Sequence, residues 1–140
     1  MVSYELGLEC MDWTGLFTLY EKAGMLRHLI QNKEFEKIKT AFGKSYKVVT
    51  AWDAKKLIGC CRMLSDGVCY GMVFDVAVLP EYRRQGVGKG LMTLLLKGEE
   101  EMPIHLTSTF GNEEFYQNLG FKKHRSAYAK YPFKSKYIEE

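Results

Sequence analysis

The 140-residue sequence lacks several features that mark particular classes of protein. No apolar run approaches the ~20 residues of a membrane-spanning helix, so no membrane association is expected. The first residues show no basic start followed by an apolar stretch, so we expect no signal peptide. The four cysteines form no C-x-x-C pair, which removes the paired spacing that a metal site needs. A reduced, cytoplasmic protein without a metal is the simplest interpretation.

A concentration of charge of one sign is also absent. The formal net charge is +3, and the Lys and Arg residues are scattered along the chain rather than gathered in a stripe. Nucleic acid is therefore not expected as a partner, whereas a small anionic ligand remains compatible with this charge. Hydrophobic residues make up 46% and charged residues 26%, an ordinary composition for a folded chain. We expect one domain over residues 1–140.

Hydrophobic periodicity and turn residues predict alternating strands and helices. Strands are predicted at 2–8, 46–52, 57–63, 69–79 and 104–107 and from 121 onward, and helices at 12–24, 32–43, 87–98 and 113–119. Asn32 and Asn112 are the expected N-caps of the second and fourth helices. The fold class is α/β, with a mixed central sheet of about six to seven strands flanked by helices. The fourth strand, the third helix and the fifth strand form its parallel crossover.

The segment after the fourth strand carries most of the functional information. Three glycines, Gly86, Gly88 and Gly90, stand where a strand runs through a short loop into a helix, beside Arg83, Arg84 and Lys89. Glycine lets the backbone approach a ligand closely, and the unpaired N–H groups of a helix start attract phosphate. The pattern is not a P-loop, because Leu91 follows Gly90 where that motif has Lys and Ser or Thr. It also differs from the dinucleotide motif G-x-G-x-x-G.

Arg83-x-x-Gly86-x-Gly88, introduced by Val78-Leu79-Pro80-Glu81-Tyr82, resembles the R/Q-x-x-G-x-G/A signature of the GCN5-related N-acetyltransferase (GNAT) family. The resemblance implies a GNAT-like fold and acetyl-CoA as cosubstrate. It also implies that the loop binds the CoA pyrophosphate and that the fourth strand, beside a bulge that splays it from the fifth, offers backbone hydrogen bonds to the pantetheine. The implied cosubstrate-binding residues are Val76, Ala77, Val78, Arg83, Arg84, Gln85, Gly86, Val87, Gly88, Lys89 and Gly90.

A second segment, Phe115-Tyr116-Gln117-Asn118-Leu119-Gly120-Phe121, is similar to the family signature F-Y-x-x-x-G-F. In that family the tyrosine approaches the CoA sulfur, which implies that Tyr116 protonates the departing thiolate as a general acid. The alternative is a tyrosine that serves packing alone.

The attacking amine must lose a proton, and Asp75 in the fourth strand is the candidate base, acting directly or through water. Family members that acetylate protein lysines often place a Glu in this strand, and Met72 occupies roughly that position. Asp75 has an equally weighted alternative, a carboxylate that binds a neighbouring backbone or basic group. Cys60 and Cys61 lie in apolar surroundings that would raise the pKa of a thiol, so we expect direct attack in a ternary complex rather than an acetylated cysteine.

The functional hypothesis is an acetyl-CoA-dependent N-acetyltransferase acting on a primary amine of a small molecule or an exposed peptide. The alternative is a non-catalytic acyl-CoA-binding module, which would not need Tyr116. The acceptor would be recognised by residues 12–31, the fourth strand and the C-terminal aromatic residues Tyr128, Tyr131, Phe133 and Tyr137. Those aromatic residues would equally suit a homodimer surface.

Overall fold

A computed structural model describes residues 1–140. The contacts divide the chain into two units, Met1–Thr107 and Ser108–Glu140. The first unit contains β1 (Val2–Leu6), α1 (Trp13–Ala23), α2 (Arg27–Gln31), α3 (Phe35–Gly43), β2 (Lys47–Asp53), β3 (Lys56–Ser65), β4 (Gly71–Val78), a 3₁₀ turn (Pro80–Tyr82), α4 (Val87–Leu96) and β5 (Ile104–Leu106). That the whole chain is one domain stays a prediction.

One mixed sheet organises the first unit, in the order β1-β2-β3-β4-β5. The first four strands pair antiparallel; short turns join β2, β3 and β4, whereas the three helices α1, α2 and α3 lie between β1 and β2. β5 pairs parallel to β4 after the α4 crossover. Asp66 closes the β3–β4 turn because its Oδ1 accepts from the N–H groups of Val68 and Cys69, at 2.9 and 2.7 Å. The chain then passes from the carboxyl end of β4 through the 3₁₀ turn to the start of α4.

Helices cover both faces of this sheet. The buried residues Leu16, Leu19 and Tyr20 of α1 and Phe42 of α3 lie on one face, and the buried residues Val87, Leu91 and Leu95 of α4 lie on the other. Asp12 begins α1, since its Oδ1 accepts from the Gly15 N–H at 3.1 Å. None of the helices is long and apolar enough to cross a membrane.

The second unit contains one short helix, α5 (Glu113–Asn118). Its end is closed by Gly120, which has a positive φ of +95°. The Phe121 N–H donates to the Tyr116 carbonyl at 3.0 Å across this turn. The rest of the unit has no regular helix or strand.

The α/β fold class is confirmed, but the strand count is a correction: the sheet has five strands, not six to seven. The expected strand from Phe121 onward is not formed, because β propensity yields a strand only where a partner edge pairs with it. Asn32 is not the N-cap of α3; it follows the separate short helix α2, and Glu34 precedes α3. Asn112 precedes α5 as predicted, but its side chain makes no capping bond there and instead donates to Thr109.

Candidate active site

The junction between β4 and α4 has the geometry of an anion site. Arg84 and Gly86 both adopt the left-handed conformation, with φ of +63° and +83°, and α4 begins at Val87. The Gly90 N–H donates to the Gly86 carbonyl at 3.0 Å, so the N–H groups of Val87 to Lys89 precede the first intrahelical bond. Alternating backbone conformations of this kind turn successive N–H groups toward one point. The junction therefore presents backbone N–H groups that can bind an anion.

The space around Gly86 is open. No heavy atom lies within 4 Å of the position that a Cβ would occupy there. Arg84 and Lys89 are exposed beside it, so their charges can meet an approaching anion. A shallow groove of about 610 Å³ continues from the junction along α4. It is lined by Tyr4, Gly86, Lys89, Gly90, Thr93, Leu94 and Lys97.

Three of the predicted binding residues have contacts within the protein itself. Arg83 Nε donates to the Val78 carbonyl at 3.2 Å, and Gln85 Nε2 donates to the Glu81 carbonyl at 3.1 Å. Gly90 has a packing function, because a Cβ there would collide with the ring of Tyr4 on β1. Its N–H is also committed to Gly86. The third glycine of the motif thus allows β1 and α4 to pack closely.

A bulge interrupts β4 just before this junction. Cys60 pairs with Ala77 and Arg62 pairs with Phe74, so Asp75 and Val76 both face the single residue Cys61. Asp75 has a φ of +58°, which is uncommon for a residue with a side chain. A classical effect of such a bulge is to bend its strand away from a neighbour. The bulge that the resemblance implied is confirmed.

Beyond the bulge, β4 has no partner on its β5 side. Pairing with β5 covers only Gly71, Met72 and Val73. The Val78 carbonyl points away from β3, since Arg83 reaches it, whereas Ala77 pairs with Cys60 of β3. Backbone groups between Val76 and Val78 therefore lie along an open edge that leads to the start of α4.

Side chains from two other elements contact Asp75. Its Oδ2 accepts from Arg62 Nε at 2.7 Å, and both side chains are largely buried, with 16% and 13% of their surface exposed. The Asp75 carbonyl accepts from the Tyr20 hydroxyl of α1 at 2.6 Å. Arg62 also contacts the end of α3, with Nη1 3.4 Å from Ser45 Oγ. The second of the two sequence-based interpretations of Asp75, a carboxylate paired to a basic group, matches this geometry.

The buried cysteines are poor nucleophiles. Burial raises the pKa of Cys60 to about 12, and burial also raises the pKa of Cys61. Cys10 and Cys69 are exposed, and all four are free thiols. No group of three or more His, Cys, Asp or Glu side chains is arranged to hold a metal ion.

The second predicted motif forms an aromatic cluster inside the second unit. The Tyr116 ring lies 4.9 Å from Phe115 and 6.0 Å from Phe121, centroid to centroid, in edge-to-face arrangements. Phe115, Tyr116 and Leu119 are all half-buried. The motif therefore specifies the local structure of α5 and the turn that follows it.

Comparisons with known proteins agree with this geometry. A family model described as "Acetyltransferase (GNAT) domain" matches residues 44–123. GCN5-related N-acetyltransferase 2, chloroplastic, of Arabidopsis thaliana is 42% identical over 71 residues, which are 49% of this chain and 28% of that protein. Histone acetyltransferase TAP1 of Glycine max is 37% identical over 73 residues, 50% of this chain and 32% of that protein. The match thus spans about a third or less of these two relatives.

Solved structures extend the likeness to most of the chain. A GNAT family acetyltransferase from Streptococcus pneumoniae TIGR4 has a TM-score of 0.71 and 27% identity, covering 87% of this chain and 88% of that one. An acetyltransferase-like protein of the same family from Xanthomonas campestris has a TM-score of 0.78 at 19% identity, covering 94% and 93%, a likeness of fold. The protein thus has an α/β fold of the acyltransferase type. The chain belongs to the GNAT family of acetyltransferases.

Sequence reasoning missed the partners of Asp75. Arg62 carried a usable signal, since it is an arginine within an apolar strand, and a buried charge needs a partner of opposite sign. Asp75 is the only carboxylate of the neighbouring strand. Tyr20 carried no such signal, because its place in the apolar stripe of α1 predicted only that it is buried.

Proposed function

We propose that this chain is an acetyl-CoA-dependent N-acetyltransferase that transfers acetyl to a primary amine of a small molecule or an exposed peptide. The observation that carries the proposal is the continuous path from the open edge of β4 to the start of α4. An elongated ligand with an amide-containing arm and a pyrophosphate matches these two parts in that order.

The charged half of the cosubstrate would be bound at the junction. Backbone N–H groups from Arg84 to Lys89 would donate to the pyrophosphate oxygens, and the α4 dipole adds a favourable field. The side chains of Arg84 and Lys89 are exposed and add positive charge, while Arg83 supports the end of β4 through its bond to Val78. The pantetheine amides would pair with backbone groups between Val76 and Val78 that face the open edge of β4.

In the proposed reaction, acetyl-CoA supplies a thioester whose carbonyl carbon the neutral amine attacks. An N–C bond forms, the C–S bond breaks, and the thiolate takes a proton from the Tyr116 hydroxyl. We assign this role to Tyr116 because it is the tyrosine of the F-Y-x-x-x-G-F motif. The proton of the amine leaves through Asp75 or water. Since Asp75 Oδ2 is committed to Arg62, the other oxygen, Oδ1, is the proposed acceptor.

Binding and turnover together test the proposal. Acetyl-CoA should raise the melting temperature of the protein, because a ligand at 100 times its Kd stabilises the folded state by about 2.7 kcal/mol. A panel of small amines and peptides, followed by thiol release, should then identify acceptors. Absence of both calorimetric heat and thermal shift at millimolar acetyl-CoA would refute it. Binding without turnover for any acceptor would favour a non-catalytic acyl-CoA-binding module.

Compartment and assembly remain predictions. A cytoplasmic location follows from the free cysteines, although one relative is named as chloroplastic. The C-terminal aromatic residues, of which Tyr128 and Phe133 are prominently exposed, remain the proposed acceptor or homodimer surface.

A further inference from the structure

The bulge at Asp75 is energetically unfavourable by itself. Asp75 has a side chain, and a non-glycine residue at φ +58° is in a sparsely populated, strained backbone conformation. Such a conformation persists only where the surroundings impose it. The contacts that impose it here come from outside β4.

Two side chains hold Asp75 from different elements. Tyr20 of α1 is fully buried and donates its hydroxyl proton to the Asp75 carbonyl at 2.6 Å, which replaces a bond to β3 that the bulged residue does not make. Arg62 of β3 holds the carboxylate at 2.7 Å. The guanidinium carbon of Arg62 also lies 5.1 and 5.9 Å from the ring centroids of Phe42 and Phe74, within the range of cation–π contacts.

The bulge has a consequence for the open edge of β4. Without the bulge, β4 would continue beyond Val73 in the register that pairs Gly71 to Val73 with β5. Its later residues would then lie along the same edge of the strand. The inserted residue instead shifts the pairing of β4 by one position before Ala77. The backbone groups of Val76 to Val78 therefore depend on the Asp75 conformation for their direction.

We propose that Tyr20, with Arg62, is a positioning residue that holds the Asp75 bulge and so keeps the β4 edge in the geometry that binds the pantetheine arm. The inference rests on the proposed function. Tyr20 does not touch the ligand in this account; it acts through the Asp75 backbone. The pyrophosphate junction is held separately, by Gly86 and the start of α4.

The test compares two ligands on one variant. Tyr20→Phe keeps the ring but removes the hydroxyl that holds Asp75. We expect it to weaken acetyl-CoA binding by roughly tenfold, the equivalent of one lost hydrogen bond. The Kd of 3′-phospho-ADP, which has the pyrophosphate but no pantetheine, should change by less than about twofold. This corresponds to a change of less than about 0.5 kcal/mol in binding free energy. Calorimetry measures both ligands, well below the melting temperature of each variant.

Tyr46→Phe is the matched control. This variant loses the hydrogen bond that the Tyr46 hydroxyl donates to Glu99 Oε1 at 3.3 Å, away from the bulge. It should change neither the affinity for acetyl-CoA nor that for 3′-phospho-ADP. Arg62→Lys keeps the positive charge but removes the guanidinium that contacts Asp75, and it should show the ligand selectivity expected of Tyr20→Phe. It takes the place of Tyr20→Phe in the test if Tyr20→Phe does not fold. Equal weakening of both ligands, or of neither, would overturn the inference. Failure of the wild-type protein to bind either ligand would instead overturn the proposed function.

Discussion

Replacing Gly86 by alanine tests the phosphate role of the α4 start, and Gly98 provides a control with nearly the same φ. Gly86 has a φ of +83° and Gly98 a φ of +86°, and a Cβ at either position would have no heavy atom within 4 Å. Alanine in this left-handed region costs roughly 1–2 kcal/mol in each case. The two variants should therefore lose similar stability, with a Tm lower by roughly 2–8 °C.

Only Gly86 adjoins the proposed ligand. The methyl group, or the backbone shift that relieves its strain, disturbs the N–H groups of Val87 and Gly88, so binding should suffer there alone. We expect Gly86→Ala to weaken acetyl-CoA and 3′-phospho-ADP alike by about tenfold or more, equivalent to about 1.4 kcal/mol. Gly98→Ala should leave both affinities unchanged. Calorimetry gives the affinities and urea unfolding the stabilities.

A particular pattern would refute this reasoning. If Gly86→Ala and Gly98→Ala lost stability equally and bound both ligands equally well, the left-handed residue at the start of α4 would be structural only. Loss of acetyl-CoA binding with retention of 3′-phospho-ADP would place the defect at the pantetheine, and would also contradict a pyrophosphate role for Gly86.

The remaining predictions concern the chemistry and the cysteines. Tyr116→Phe should lower kcat by ~10²-fold if return of a proton to the thiolate limits turnover, with little change in acetyl-CoA affinity; an effect on affinity or stability alone would make Tyr116 a packing residue. Cys60→Ala and Cys61→Ala should retain intersecting-line kinetics, and an acetylated cysteine trapped by mass spectrometry would contradict direct attack. At pH 8, iodoacetamide should label only Cys10 and Cys69 in the folded protein. Cys69 should react with iodoacetamide more slowly than an unperturbed thiol, since the negative charge of Asp66 raises the pKa of Cys69.

Local signals predicted the junction between β4 and α4 well. The glycines, the proline after β4 and the apolar spacing of Val87, Leu91 and Leu95 all act within a few residues of one another, so no tertiary information was needed. The hairpins between β2, β3 and β4 follow from turn chemistry for the same reason. The helix α2 was missed because five residues carry too little periodicity to reveal a helix.

The C-terminal segment shows the limit of propensity. Aromatic residues after Phe121 favour a strand, yet a strand needs a partner edge whose register no local pattern specifies. The positive φ of Asp75 also has no local signal, because aspartate is compatible with ordinary strand geometry and nothing adjacent demands the turn.

The Arg62–Asp75 pair lies between these cases, and shows which tertiary contact a sequence can reveal. Side chains alternate between the two faces of β3, which puts Arg62 on the same face as the buried Cys60. The charge of Arg62 therefore needs a partner of opposite sign in the interior. β4 offers one carboxylate, and a short turn makes the two strands neighbours. The cost of an unpaired buried charge therefore predicts the contact before any coordinates are known. The buried Tyr20 hydroxyl also needs a partner, but the sequence does not identify it, because a tyrosine of an apolar stripe can find a backbone acceptor on any adjacent element. Only the strand bulge itself, seen in three dimensions, shows which carbonyl it binds.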